Sequence, residues 1–120
     1  MAIKTIDIAW LAAMLEGEGS FYTYTKKNLR RPLTYPELSF QSVDYDIVVR
    51  VASLLKSNIS RVVPYNTSKQ KSYKVRACST KAVQWMMTIY PLMGIRRKTK
   101  IREILDTWRL SIDGRKLRYQ

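Results

Sequence analysis

Eight apolar residues follow one another without a break: Ile8-Ala9-Trp10-Leu11-Ala12-Ala13-Met14-Leu15. A run of that length fits a buried strand or a stretch of helix. Its Ala and Leu content, with no β-branched residue after Ile8, favours helix. We read a helix over residues 6–18, with Asp7 as N-cap and Gly17 and Gly19 as the stop. A helix apolar on every side has no face for water. One side can pack on the chain's own core, and the other needs a partner.

The rest of the chain alternates in period. Residues 20–27 and 34–43 are aromatic and β-branched with polar alternation, so they read as strands joined by a basic loop. Asp44 and Asp46 open a second helix, whose Ile47, Val51, Leu54 and Leu55 form one apolar face. Residues 60–66 and 72–77 read as a second strand pair around the polar turn 67–71. A third helix begins at Thr80, with Val83, Met87 and Tyr90 on one face, and Pro91 ends it. A fourth carries Ile101, Ile104, Leu105 and Trp108, followed by a basic, fraying tail. We expect one domain over residues 1–110 and a tail over 111–120. The order αββαββαα predicts an α+β domain, with four antiparallel strands and the helices on one side. The other sheet face must then meet solvent or a ligand.

Charge says which ligand. Lys and Arg total 22 against 9 acids among 120 residues, a net +13. A body this small with that charge calls for a polyanion or an anionic surface. There is no His, which removes Ser-His-Asp hydrolysis, His-based nucleases and zinc fingers together. One cysteine, Cys78, supports neither a disulfide framework nor a Cys-rich zinc site. No apolar run approaches the roughly 20 residues of a membrane span, and the N-terminus lacks signal-peptide order. The expectation is an intracellular protein with no membrane association.

The first 36 residues hold three acids, Asp7, Glu16 and Glu18. Two of them stand at the negative end of the first helix, where a carboxylate is unfavourable by roughly 0.3–1 kcal/mol. A divalent cation resolves the conflict, since Mg²⁺ takes one or two carboxylates and completes its shell with water and phosphate. The alternative is an ordinary glycine cap with both glutamates hydrated.

The stretch Leu11 to Phe21, LAAMLEGEGSF, resembles the motif of LAGLIDADG homing endonucleases, and the element order resembles that family's αββαββα core with an added C-terminal helix. The resemblance implies a site-specific double-strand DNA endonuclease that uses Mg²⁺ or another divalent cation such as Mn²⁺ and no small-molecule cofactor. A single motif implies a homodimer on a pseudo-palindromic site. By position, Glu18 is the metal-binding carboxylate, with Gly17 beside it. Glu16 is the earlier acid, which in the family more often supports the site than touches metal. Ile8, Leu11, Ala12, Leu15 and Glu16 fall at the helix–helix contact. Ala13 stands where the family has glycine. Asp44 falls where the family places a polar residue near the active site; capping the second helix is its alternative. Arg96 best matches the cation that stabilises the phosphorane, with Arg97 and Lys98 as rivals; plain phosphate contacts are the alternative.

On this reading the hairpins enter the major groove. Tyr22, Tyr24, Lys26, Asn28, Arg30, Glu37, Ser39 and Gln41 face DNA from the first pair. Arg61, Tyr65, Lys69, Lys71, Lys74 and Arg76 do so from the second. Gln41 suits adenine, and Arg61 or Arg76 suits guanine. Carboxylates and cations suffice for phosphodiester hydrolysis, so the missing His is no obstacle. The chain has no D/E-x-K and no GxxxxGK[ST], which sets aside two other phosphate-handling plans. The remaining alternatives are an inactive relative acting as RNA maturase or transcription regulator, and a basic ribosomal or RNA-chaperone protein. The last explains the charge but neither the EGEG turn nor the all-apolar helix.

Overall fold

The apolar run is a helix, α1 (Thr5–Glu18), in the computed structural model, which describes residues 3–26, 33–62 and 71–119. Its N-cap is Lys4, three residues before the expected Asp7. Asp7 lies instead in the first turn, where its charge favours the helix dipole. Its Oδ1 accepts a charged hydrogen bond from Arg50 Nη2 at 3.2 Å. The helix stops because Gly19 turns into extended backbone, φ −81° and ψ 160°, while its N–H still reaches Leu15 O. A Cβ at residue 19 would stand 2.5 Å from that oxygen, so only glycine fits this exit.

Strand β1 (Gly19–Lys26) follows at once and pairs antiparallel with β2 (Leu33–Ser42), Gly19 opposite Phe40 and Tyr22 opposite Glu37. Helix α2 (Tyr45–Leu55) leads to β3 (Ile59–Val62) and β4 (Ser72–Cys78), again antiparallel. Helix α3 (Ser79–Ile89), a 3₁₀ turn (Tyr90–Leu92) and α4 (Ile95–Tyr119) complete the order. The sheet runs β1-β2-β4-β3, so the two hairpins meet at its centre through β2 and β4. The expected third strand extends to residue 66, and positions 63–66 lie outside the described residues.

Opposed residues of antiparallel strands share a face. One face carries Phe21, Leu38 and Ala77 in one row and Phe40, Val75 and Ile59 in another. The four helices cover it. Leu11 and Leu15 of α1, Val48, Val51 and Leu55 of α2, Met86 and Ile89 of α3, and Ile101 and Ile104 of α4 join one core with those rows. Each fully buried side chain of this size stabilises the fold by about 1.5–3 kcal/mol.

Three expectations are corrected. Met87 does not belong to the buried face of α3, which is Ala82, Val83, Trp85, Met86 and Ile89; Met87 is exposed. The stretch Pro91 to Lys98, which the family resemblance sets between the last two helices, is helical from Ile95 onward, so Arg96, Arg97 and Lys98 form the first turn of the fourth helix. The segment after residue 110 continues as helix to Tyr119. Among the described residues no helix is long and apolar enough to cross a membrane.

Candidate nucleic-acid interface and acidic corner

The second face of the sheet is polar. Ser20, Tyr22, Tyr24 and Lys26 of β1 stand beside Tyr35, Glu37, Ser39 and Gln41 of β2. Lys74, Arg76 and Cys78 of β4 and Ser60 of β3 continue the row. Eight of the expected DNA-facing residues therefore share one face: Tyr22, Tyr24, Lys26, Glu37, Ser39, Gln41, Lys74 and Arg76. Arg61 does not. It pairs with Tyr73 and so shares the helix-covered face, at the exposed outer strand, because one step in a strand reverses the side. Lys71 is exposed just before β4. Asn28, Arg30, Tyr65 and Lys69 lie outside the described residues. Tyr35 and Ser60 were not among the expected residues, although strict alternation back from Glu37 reaches Tyr35.

Toward one end this face hollows into a groove of about 810 Å³, with Tyr24, Lys26, Tyr35, Ser60, Arg76 and Lys81 on its walls. The Lys26 ammonium lies over the Tyr35 ring, 5.7 Å from its centroid. At the centre, Glu37 and Ser39 are only 6 % and 5 % exposed, sunk between longer neighbours. Glu37 Oε1 accepts a hydrogen bond from Cys78 Sγ at 3.0 Å. Shielding from water, then the Glu37 carboxylate, pushes the Cys78 thiol up to about 11. The Tyr22 phenol is raised in the same way, by burial first and the hydrogen bond to Glu37 second, against smaller opposing effects of Ser39 and Arg76. Gln41 Nε2 donates to Ser72 Oγ at 2.7 Å and ties β2 to β4.

The acidic corner lies at one end of the same sheet. Since Gly19 pairs with Phe40, Glu18 enters β1 where β2 is leaving toward Asp44. Glu18 is exposed and has no hydrogen-bond or ion-pair partner among the described residues. Glu16 is engaged: its Oε2 accepts from the Gly94 N–H at 3.3 Å, and its carbonyl accepts from Arg97 Nη2 at 3.2 Å. Asp44 occupies the N-cap of α2 but makes no side-chain cap bond; its own N–H donates to Ser42 Oγ at 3.1 Å. A shallow groove of about 480 Å³ joins Gly19 and Ser20 to Arg96, Arg97 and Lys100. Lys98 turns the other way, its ammonium 5.7 Å from the Tyr90 ring centroid. Of the three candidate cations, Arg96 lines the groove beside Gly19 and Ser20, Arg97 lines it too and is bound to Glu16, and Lys98 is not part of it. Lys100 is the neighbour not foreseen, and its spacing of four from Arg96 is the signal that could have found it.

The donor chemistry at the corner is hard oxygen: the Glu18 carboxylate and main-chain carbonyls at the end of α1. That suits Mg²⁺ or Mn²⁺ and not a soft thiolate metal. Among the described residues no three His, Cys, Asp or Glu side chains gather to hold a metal.

Three of the five contact residues expected for a helix pair are corrected, and Glu16, the fifth, stays exposed. Leu11, Ala12 and Leu15 are 0 %, 3 % and 0 % exposed, inside the chain's own core, and Ile8 is half-buried against it. The outward side of α1 carries Ile6, Ala9, Ala13 and Gly17. Ile6 is 71 % exposed. A Cβ at Gly17 would meet nothing within 4 Å, so nothing in the single chain requires glycine there.

No protein-family model matches the chain, and no curated protein matches it in sequence. Solved structures do match. It superposes on an archaeal intron-encoded homing endonuclease, I-Vdi141I, complexed with DNA, at a TM-score of 0.63 and 14 % identity, covering 84 % of this chain and 67 % of that one. It superposes on the group I intron-encoded homing endonuclease I-CeuI, also complexed with DNA, at 0.60 and 14 % identity, covering 88 % and 55 %. On the LAGLIDADG homing endonuclease I-LtrWI bound to target DNA the values are 0.61 and 16 %, covering 92 % and 39 %. The chain thus spans about half of I-CeuI and less of I-LtrWI. Its one-sided sheet, its paired hairpins and the glutamate turn at the end of α1 sit in the fold of the LAGLIDADG homing endonucleases.

Proposed function

We propose that the chain is a metal-dependent double-strand DNA endonuclease that acts as a homodimer on a pseudo-palindromic site. The observation that carries this reading is Glu18: an exposed carboxylate, without a partner among the described residues, at the end of an apolar helix that leads straight into the polar sheet face. A protein that only bound DNA would gain nothing from an acid aimed at phosphate. The outward stripe Ile6, Ala9 and Ala13, with open space at Gly17, supports pairing of two α1 helices about a twofold axis. That pairing supplies two Glu18 carboxylates where one chain supplies one.

Glu18, with Gly17 from the main chain, would hold Mg²⁺ or Mn²⁺. A bound divalent ion supplies an acidified water and shields the phosphate charge. Arg96 offsets the charge that grows on the phosphorus oxygens in the transition state. Lys100, one helical turn away, holds the flanking phosphate. The polar sheet face straddles the major groove, with Arg76 suited to guanine and Gln41 to adenine.

The test is cleavage of a plasmid library with Mg²⁺ beside an EDTA control. Wild type is expected to linearise a subset of plasmids only with metal. Glu18→Gln should lower the rate at least about a hundredfold while binding the same duplex as tightly or more so. Cutting at the wild-type rate by that variant removes Glu18 as ligand. Binding without cutting by the wild type makes the chain a nucleic-acid binder of the maturase or regulator kind.

A further inference from the structure

Arg97 joins the two helices that carry the corner. At the end of α1, carbonyls lack helical partners and the dipole is negative. Leu15 O is taken by the Gly19 N–H, and Glu16 O by Arg97 Nη2. The Glu16 side chain reaches the opposite way and accepts the Gly94 N–H, at the positive start of α4. One residue of α1 is thus held from both sides by the first turn of α4. The fit at Gly94 is close, since a Cβ there would stand 2.8 Å from Glu16 Oε1. The Arg97 guanidinium also lies over the Phe21 ring of β1, 5.7 Å from its centroid. Among the described residues its Nε is buried without a partner. A polar atom left unpaired is a cost that sheet or helix formation alone does not demand.

We propose that Arg97 is a positioning residue that clasps the last turn of α1 to the first turn of α4 and so fixes Glu18 relative to Arg96. Glu18 stands two residues after the clasped Glu16, and Arg96 one residue before Arg97. This rests on the reading of Glu18 as a metal ligand and deepens it. Small displacements of reacting groups cost large factors in rate, on the order of a hundredfold for about 1 Å.

The experiment compares wild type, Arg97→Gln and Arg97→Lys on the duplex that the wild type recovers from a randomised library. Binding is measured in Ca²⁺, and single-turnover cutting against Mn²⁺ concentration. We expect Arg97→Gln to bind within about threefold of wild type but to cut about a hundredfold more slowly, with its Mn²⁺ midpoint shifted upward. Arg97→Lys, which can still donate to the Glu16 carbonyl, should recover most of the rate. Cutting by Arg97→Gln within threefold of wild type overturns the proposal. So does equal loss in both variants alongside a lowered melting temperature. Amide hydrogen exchange needs no activity: at Gly19 and Gly94 it should be about tenfold faster in Arg97→Gln. If the wild type cuts nothing, the nuclease reading falls, and unchanged exchange at those two amides would sink the clasp as well.

Discussion

A buried carboxylate is costly unless its charge is held, and Glu37 is held from both flanks. Tyr22 stands opposite it on β1 and Cys78 on β4. The Cys78 thiol is correspondingly reluctant to ionise. Its raised value favours the protonated form in the folded state. The contribution to stability is therefore whole below the ordinary thiol range and is lost as pH rises through about 11. Alkylation by iodoacetamide at pH 8.5 should be slower than for an unfolded thiol by about tenfold or more. Glu37→Gln should recover part of that reactivity, shielding from water being the larger cause, and an unchanged rate would remove the carboxylate as a cause. Strand alternation made the position of Glu37 legible from residues alone. Its burial was not, because depth depends on which side chains flank it across two pairings, with Tyr22 and Cys78, separated by 15 and 41 positions.

At the scale of the element, α1 divides into two rows that its composition does not distinguish. Every side is apolar, so hydrophobicity carries no phase, and the inward row of Leu11, Ala12 and Leu15 could be read as the outward one. Only the four-residue spacing of Ala9, Ala13 and Gly17 marked the side where another backbone can come close. The proposed pairing is therefore tested at Ala13. Ala13→Glu should yield folded monomers in analytical ultracentrifugation, because a charge enclosed between apolar helices costs several kcal/mol. A dimer of unchanged mass would refute the pairing. Ala12→Glu is not an equivalent test, since that side chain is inside the core and the variant should fail to fold. The length of α4 was hidden for a different reason. Its first turn, Ile95 to Lys98, is mostly cationic and has the composition of a linker, so helix was legible only where Ile101, Ile104 and Leu105 supplied a period.

Across the whole molecule, the order of elements and the segregation of helices from the polar sheet face were legible, because both follow from period and from the absence of any alternative cover. The pairing of β2 with β4 was not, since the two hairpins are joined through residues far apart in sequence. With +13 on each copy, binding to duplex DNA should weaken steeply with salt. For about 6–10 phosphate contacts, affinity should fall by about 10³ to 10⁵ between roughly 50 and 200 mM. A shallow salt dependence in a filter-binding titration would mean that the basic face is not where DNA lies.

The empty space beside Gly17 has a further consequence. A methyl group added there meets no atom of its own chain and, through helix propensity, should stabilise α1 by roughly 0.5–1 kcal/mol, whereas on the proposed pairing it stands against the second molecule. Keeping glycine there therefore costs the single chain some helix stability, a cost that close approach of a paired α1 would account for. Two variants with complementary changes along Ile6, Ala9, Ala13 and Gly17 could thus be made to prefer each other over themselves. On the proposed pairing, a mixed pair of that kind would read unlike half-sites, freeing the target from its twofold symmetry without altering either core.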